Sequence, residues 1–154
     1  EAVGGFDETI RAASVEDYDL WLRLARRYEF AYCSEPLVLY RIHSSNATKR
    51  SHTLLRYELY VLEKALRSDP GLALRVGRRL VRRRLEGVWA GLAHSSLAQN
   101  DFREANRRFW RALRLRPSRL VLLLWLATLF PASWVVWARD TKRFLAKPRR
   151  ALWG

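Results

Sequence analysis

Leu54, Leu55, Leu59, Leu62 and Leu66 recur at helical spacing and predict a helix from about Ser51 that Asp69-Pro70-Gly71 brings to an end. A second long helix is predicted from Leu72 to about Ala98, and Asn100-Asp101 marks the start of a third, with Glu104 three residues on in a capping-box arrangement. Pro117-Ser118 opens a further helix that runs into an apolar stretch. The first fifty residues read differently. Ser14 is a good N-cap, with Asp17 three residues later, and Leu20, Trp21, Leu22 and Leu24 supply the apolar face of a short helix. Tyr28 to Cys33 and Leu37 to Ile42 then show the aromatic and branched character of two short strands, separated by Pro36. Ser44 to Thr48 is polar and turn-like.

Charge sharpens this division. Residues 1–50 carry 7 basic and 8 acidic side chains, net −1, whereas residues 51–154 carry 22 and 7, net +15, which together give the formal +14. So uneven a distribution points to an anionic partner for the second part, a membrane surface or a nucleic acid. With 49% apolar residues the 154-residue chain has the material for a packed core. Cys33 is the single cysteine, makes no intrachain disulfide and suits a reducing cytoplasm. It reads as a buried small residue rather than a nucleophile. The chain has no methionine and opens on Glu1, which predicts that an N-terminal part lies upstream.

Trp89, Leu92, Ala93, Ala105, Phe109, Ala112 and Pro117 fall at the spacings of one tetratricopeptide repeat, with Ser96 where an aromatic is usual. The small residues Ala93 and Ala105 would let two antiparallel helices approach, and Phe109 would fill the space between them. One copy cannot bury its own face, so residues 86–119 are expected to form a helical hairpin that leans on its neighbours. From Leu120 to Ala138 no charge occurs, but Pro131 interrupts the run, and two shorter helices, Ser118–Phe130 and Ala132–Leu145, fit better than a membrane span. Trp125, Trp134 and Trp137, with the tail Lys142, Arg143, Lys147, Arg149 and Arg150, suit a lipid interface as well as they suit a helical pair buried on the hairpin.

Candidate chemistry concentrates in Ser14 to His43. Sugar transfer with inversion needs a carboxylate that takes the acceptor's proton, and a divalent cation or basic groups to neutralise the leaving diphosphate. Asp17, in the first turn of a helix, suits the first task, because the helix N-terminus stabilises its ionised form. Glu16 beside it could orient that base.

At these residues the chain resembles a known family. Gly4-Gly5-Phe6-Asp7-Glu8, then Glu16-Asp17-Tyr18-Asp19-Leu20-Trp21-Leu22-Arg23, then Leu37 to His43 look like the closing third of a family 2 glycosyltransferase. The resemblance implies an α/β fold, the end of a Rossmann-like nucleotide-sugar domain over residues 1–50, followed by an all-α extension over 51–154, with residues 120–147 forming its apolar and basic helices. It further implies that Asp17 is the catalytic base with Glu16 in support, and that Gly4, Gly5, Phe6 and Arg41 lie against substrate. His43 would bind the metal, magnesium or manganese. The partners implied are a nucleotide-sugar donor and a hydroxyl acceptor, a glycan or a lipid-linked one, as in bacterial surface polysaccharide synthesis. The family's Asp-x-Asp metal motif belongs upstream; Asp17-Tyr18-Asp19 has its letters but opens a helix, and so does not take that role. On this reading residues 1–154 do not transfer sugar by themselves.

Two other readings compete. One is a non-catalytic basic helical module that binds a membrane or protein partners, where the glycosyltransferase resemblance implies a cytoplasmic enzyme, peripheral on the inner face of the plasma membrane. The other is nucleic-acid binding through Arg78, Arg79, Arg82, Arg83 and Arg84. It is disfavoured, because this cluster can equally be one solvated helix face and no recognition fold accompanies it.

Overall fold

In the computed structural model, residues 3–10, 15–39, 41 and 51–130 are described. They form a 3-10 turn, Glu8–Ile10, and six α-helices: α1 Glu16–Leu24, α2 Ser51–Ser68, α3 Leu72–Val76, α4 Arg78–Ala98, α5 Phe102–Leu115 and α6 Arg119–Ala127. No strand occurs among the described residues. The expected α/β fold over residues 1–50 is therefore corrected: the regular elements among the described residues are all helical.

The reason is visible in residues 28–39, which are neither helix nor strand. Branched and aromatic residues fit a pleated surface, but a strand exists only where a neighbour completes its hydrogen-bond ladder. Residues 28–39 have no such neighbour among the described residues, and Tyr32, Val38 and Leu39 stand 90%, 81% and 101% exposed. Cys33, expected to be buried, is exposed with them. Tyr40 and Ile42, at the end of the second expected strand, lie outside the described residues, as do Ser14, the turn 44–48 and the expected helix Ala132–Leu145.

The expected helix from Leu72 to Ala98 divides in two at Gly77. Its backbone sits at φ 101°, ψ 117°, a region open to glycine and costly for any residue with a Cβ. The chain turns there, and α4 starts afresh at Arg78.

At the far end of α4, Asn100 adopts φ 61°. The Asp101 amide donates to the Ser96 carbonyl at 2.9 Å and the Asn100 amide to Leu97 at 3.0 Å, which closes the helix in a Schellman motif. Asp101 then becomes the N-cap of α5, its Oδ1 accepting from the Glu104 amide at 3.0 Å. Only this half of the expected capping box forms. The Asp101 amide is already taken by Ser96, and the Glu104 carboxylate turns to Arg108 at 2.9 Å instead.

The contacts between α4 and α5 establish their direction. Arg108 meets Ser96, Phe109 meets His94, Arg111 lies over Trp89 and Arg116 approaches Glu86. One helix recedes as the other advances, so the pair is an antiparallel hairpin. Ala93, Ala105, Phe109 and Ala112 are fully buried at its centre, with Val121 of α6 completing the cluster. The small alanines allow the two backbones close together and Phe109 occupies the space left. A second cluster, Ile10, Val15 and Val61, joins the 3-10 turn and α1 to α2. Between the two clusters α2 crosses α4 at Gly91, where a Cβ would lie 2.9 Å from Leu55 Cδ1.

Candidate functional site

The carboxylates singled out in the sequence, Glu16 and Asp17, both lie in the first turn of α1. Asp17 Oδ1 accepts from the Tyr18 amide at 2.6 Å, a local contact within the first turn of α1. Glu16 is beside it, its Oε2 buried with no hydrogen-bond partner among the described residues. The N-cap is Val15, which offers no side-chain cap.

Asp19 is the residue that the fold gathers others around. It is 3% exposed. Lys64 Nζ of α2 donates to Asp19 Oδ1 at 2.7 Å and to Asp7 Oδ2 at 2.7 Å. Arg23, one turn further along α1, donates to Asp19 Oδ2 at 2.9 Å and to the carbonyls of Val3 and Gly5 at 2.6 and 2.7 Å. Two carboxylates and two cations thus tie the N-terminal loop, α1 and α2 together.

The charges are mutually shifted. Hydrogen bonds from Lys64 and then from Thr9 hold the Asp7 carboxyl far below the ordinary carboxylate range. Burial pulls the Lys64 ammonium downward, but hydrogen bonds to Asp19 and Asp7 more than offset it, and its net pKa is raised.

Gly4 and Gly5 belong to the loop that this cluster fastens. Gly4 sits at φ 74°, a glycine conformation, and Arg23 occupies the space beside it. Phe6 is 59% exposed and Arg41 is exposed. His43, expected to hold a metal, lies outside the described residues. Among the described residues no group of three or more His, Cys, Asp or Glu is placed to hold a metal ion.

A second polar cluster centres on Arg108, which sequence reading passed over. Besides Glu104, its guanidinium donates to the Leu92 carbonyl at 3.1 Å, to Ser96 Oγ at 2.9 Å and to His52 Nε2 at 3.2 Å. Ser96, where the repeat pattern has an aromatic, is buried and accepts from this arginine. Arg108 has only donors, so Nε2 must be the acceptor and the proton of a neutral His52 sits on Nδ1. Burial, then the charges of Arg108 and Arg56, lower the His52 pKa from its ordinary 6.5.

This makes stability depend on pH in a definite direction. Below about pH 6.5 the unfolded chain takes up a proton at His52 that the folded chain refuses until its lower pKa is reached. Folded-state stability is therefore full above 6.5 and falls as pH drops below it, levelling off under the folded pKa. Urea unfolding between about pH 5 and about pH 7.5 is expected to show this loss. The His52→Gln variant should show a smaller slope, and an identical slope would place the titration elsewhere.

Two surfaces complete the picture. The first is α6, nine residues reading RLVLLLWLA. Val121 and Thr128 face the hairpin, and Leu124 and Trp125 are partly covered with them. The other side is open: Leu120 is 66% exposed and Leu123 65%, with Leu122, Leu126, Leu129 and Phe130 also exposed. The second is an apolar groove of about 220 Å³ where α1, α2, α3 and α4 meet.

Comparison with known protein families, with characterised proteins and with solved structures finds no match to this chain. The resemblance to a family 2 glycosyltransferase is overturned by this result together with the absence of any strand among the described residues. The tetratricopeptide likeness also has no family match behind it; α4 and α5 are a helical hairpin packed on α2 and α6. The roles that the resemblance lent to Asp17, Glu16, Gly4, Gly5, Phe6, Arg41 and His43 lose that warrant.

Proposed function

We propose that this chain is a basic helical module that binds an anionic membrane surface through α6. The observation that carries this reading is the open face of that helix. A helix apolar on all sides is ordinarily enclosed by protein or by lipid, yet α6 packs only its Val121–Thr128 side. Isolated surface leucines are normal, but a contiguous group on one short helix marks an interaction surface.

Basic residues accompany the apolar face. Trp110 of α5 stacks on Trp125 of α6 at 5.2 Å between ring centroids. Arg107 and Arg114, three residues before and four after Trp110, share its side of α5 and are exposed, and Arg119 opens α6 itself. Beyond Phe130 the sequence adds Trp134, Trp137 and six basic residues against Asp140. Apolar anchors flanked by arginine fit the boundary between acyl chains and anionic headgroups.

The geometry favours lying on a membrane over crossing one. At about 1.5 Å per residue α6 is roughly 14 Å long, half of a ~30 Å hydrocarbon core. No helix among the described residues is long and apolar enough to cross a membrane.

Co-sedimentation of the 154-residue chain with lipid vesicles tests the proposal. Binding is expected to vesicles containing phosphatidylserine, to fall with added salt, and to be weak on phosphatidylcholine alone. Each buried leucine contributes about 1.5–3 kcal/mol, so Leu120→Glu/Leu123→Glu should weaken binding at least ~10-fold. Undiminished binding by this variant would show that α6 is not the contact.

A further inference from the structure

We infer that the groove between α1, α2, α3 and α4 receives an acidic, apolar helix from a partner protein. Its floor is built from Tyr18 and Leu22 of α1 and Leu62 and Leu66 of α2, and its open edge from Val76 of α3 and Leu80 of α4. Val76 is 50% exposed and Leu80 58%, so the apolar lining reaches the surface instead of closing over. At about 220 Å³ the groove is smaller than the roughly 300–1,000 Å³ of a small-molecule site. It has room for one or two apolar side chains anchored from outside, as when an amphipathic helix docks.

Charge identifies the partner's character. Along α4, Leu80 and Val81 form the groove edge, with Arg84 between them one turn on. At 100° per residue Arg83 falls on one side of this pair and Arg78 on the other, with Arg79 and Arg82 beyond. Arg78, Arg79, Arg82 and Arg83 are exposed and have no ion pair among the described residues.

The nearby carboxylates are already matched. Glu58 lies 2.5 Å from Arg84, Glu63 is 3.6 Å from Arg67, and Asp69 pairs with Arg75 and Arg26. The groove's α4 edge is therefore apolar and flanked by two arginines, Arg78 and Arg83, that have no ion pair among the described residues.

This excludes the occupants nearest to hand. Residues 131–154 carry six basic side chains and one acidic, net +5, and would add like charge to the rim. A second copy brings net +14. A helix with leucines at i, i+3 or i+4 and i+7, flanked by glutamate and aspartate, matches both the lining and the rim.

Fluorescence anisotropy with a labelled model peptide of this pattern is the test, using the 154-residue chain. The controls are a peptide of the same composition with its apolar periodicity scrambled, and anionic vesicles free of peptide. The patterned peptide should bind at least ~10-fold more tightly than the scrambled one, and binding should weaken with salt. Leu80→Glu alters an exposed side chain, so the fold should persist by circular dichroism while peptide affinity falls at least ~10-fold. Arg78→Glu/Arg83→Glu should do the same. Leu120→Glu/Leu123→Glu should leave peptide binding unchanged, which separates this inference from the membrane reading. Equal binding of both peptides, or no loss in the Leu80 variant, would overturn it. So would a Leu80 variant that lost vesicle binding and kept peptide binding, because the groove would then be a lipid contact.

Discussion

Phe109→Ala is expected to cost about 3–5 kcal/mol of folding stability, the largest single effect in this chain. Phe109 is wholly buried, between Ala93 of α4 and Ala105 and Ala112 of its own helix, with Val121 of α6 closing the cluster. The His94 ring meets it edge-on, at 5.4 Å between centroids. The cost depends on whether neighbours can move into the vacated space, and three of the four other buried residues of the cluster are alanines, whose methyl groups are too short to fill it. Loss of the ring also loosens α6, whose inner face depends on the same cluster. Domains of this size have about 5–15 kcal/mol in total, so the variant would be marginally folded. Urea denaturation followed by circular dichroism measures the change. A cost under about 1 kcal/mol would mean that the helices close over the gap, and the hairpin is far more plastic than its packing implies.

Lys64→Met comes next, at about 2–3 kcal/mol. Methionine keeps most of the stem and its packing but removes the ammonium that joins Asp19 to Asp7. The Asp19 side chain is only 4% exposed, and it would keep Arg23 as its sole cation. Breaking a fully buried pair typically costs about 3–5 kcal/mol; Lys64 is 31% exposed, so water replaces part of what is lost and the figure is reduced accordingly. Asp17→Asn, by contrast, should stay within about 0.5 kcal/mol, because among the described residues Asp17 makes only a local contact. Thermal unfolding of the two variants side by side decides the matter. If both lose the same amount, the cluster does not hold α1 on α2.

The same cluster has a pH signature at each extreme. With its pKa raised, Lys64 contributes stability below its unfolded value of 10.5 that is lost as pH rises through the higher folded value. Asp7, with its pKa lowered, contributes above 3.8 and loses that contribution as pH falls.

Residues 51–130 were legible where the determinants are local. The leucine spacing of α2, its stop at Asp69-Pro70-Gly71 and the cap at Asp101 all rest on groups a few residues apart, and the helices follow them. Gly77 was the exception: a glycine inside a helical pattern can be tolerated or can turn the chain, and the residues around it do not say which. In the first fifty residues the pattern misled. Tyr28 to Ile42 has strand-like side chains, but the hydrogen bonds that make a strand come from elsewhere in the chain. The motif Glu16 to Asp19 gave no sign of which of its carboxylates is buried, for a related reason. Asp19 looked incidental because its partner Lys64 is 45 residues away and nothing near Asp19 announces it.

By itself, then, the sequence determined where the helices of the basic portion begin and end, and that their arginines outnumber their carboxylates, because periodicity, capping and charge are properties of neighbours along the chain. Only the tertiary structure decided which face of α6 stays uncovered, which carboxylate is buried, where Arg108 reaches and that a groove opens among four helices. Each of these depends on contacts across tens of residues, and burial is a property of what packs on a side chain, which no local pattern contains.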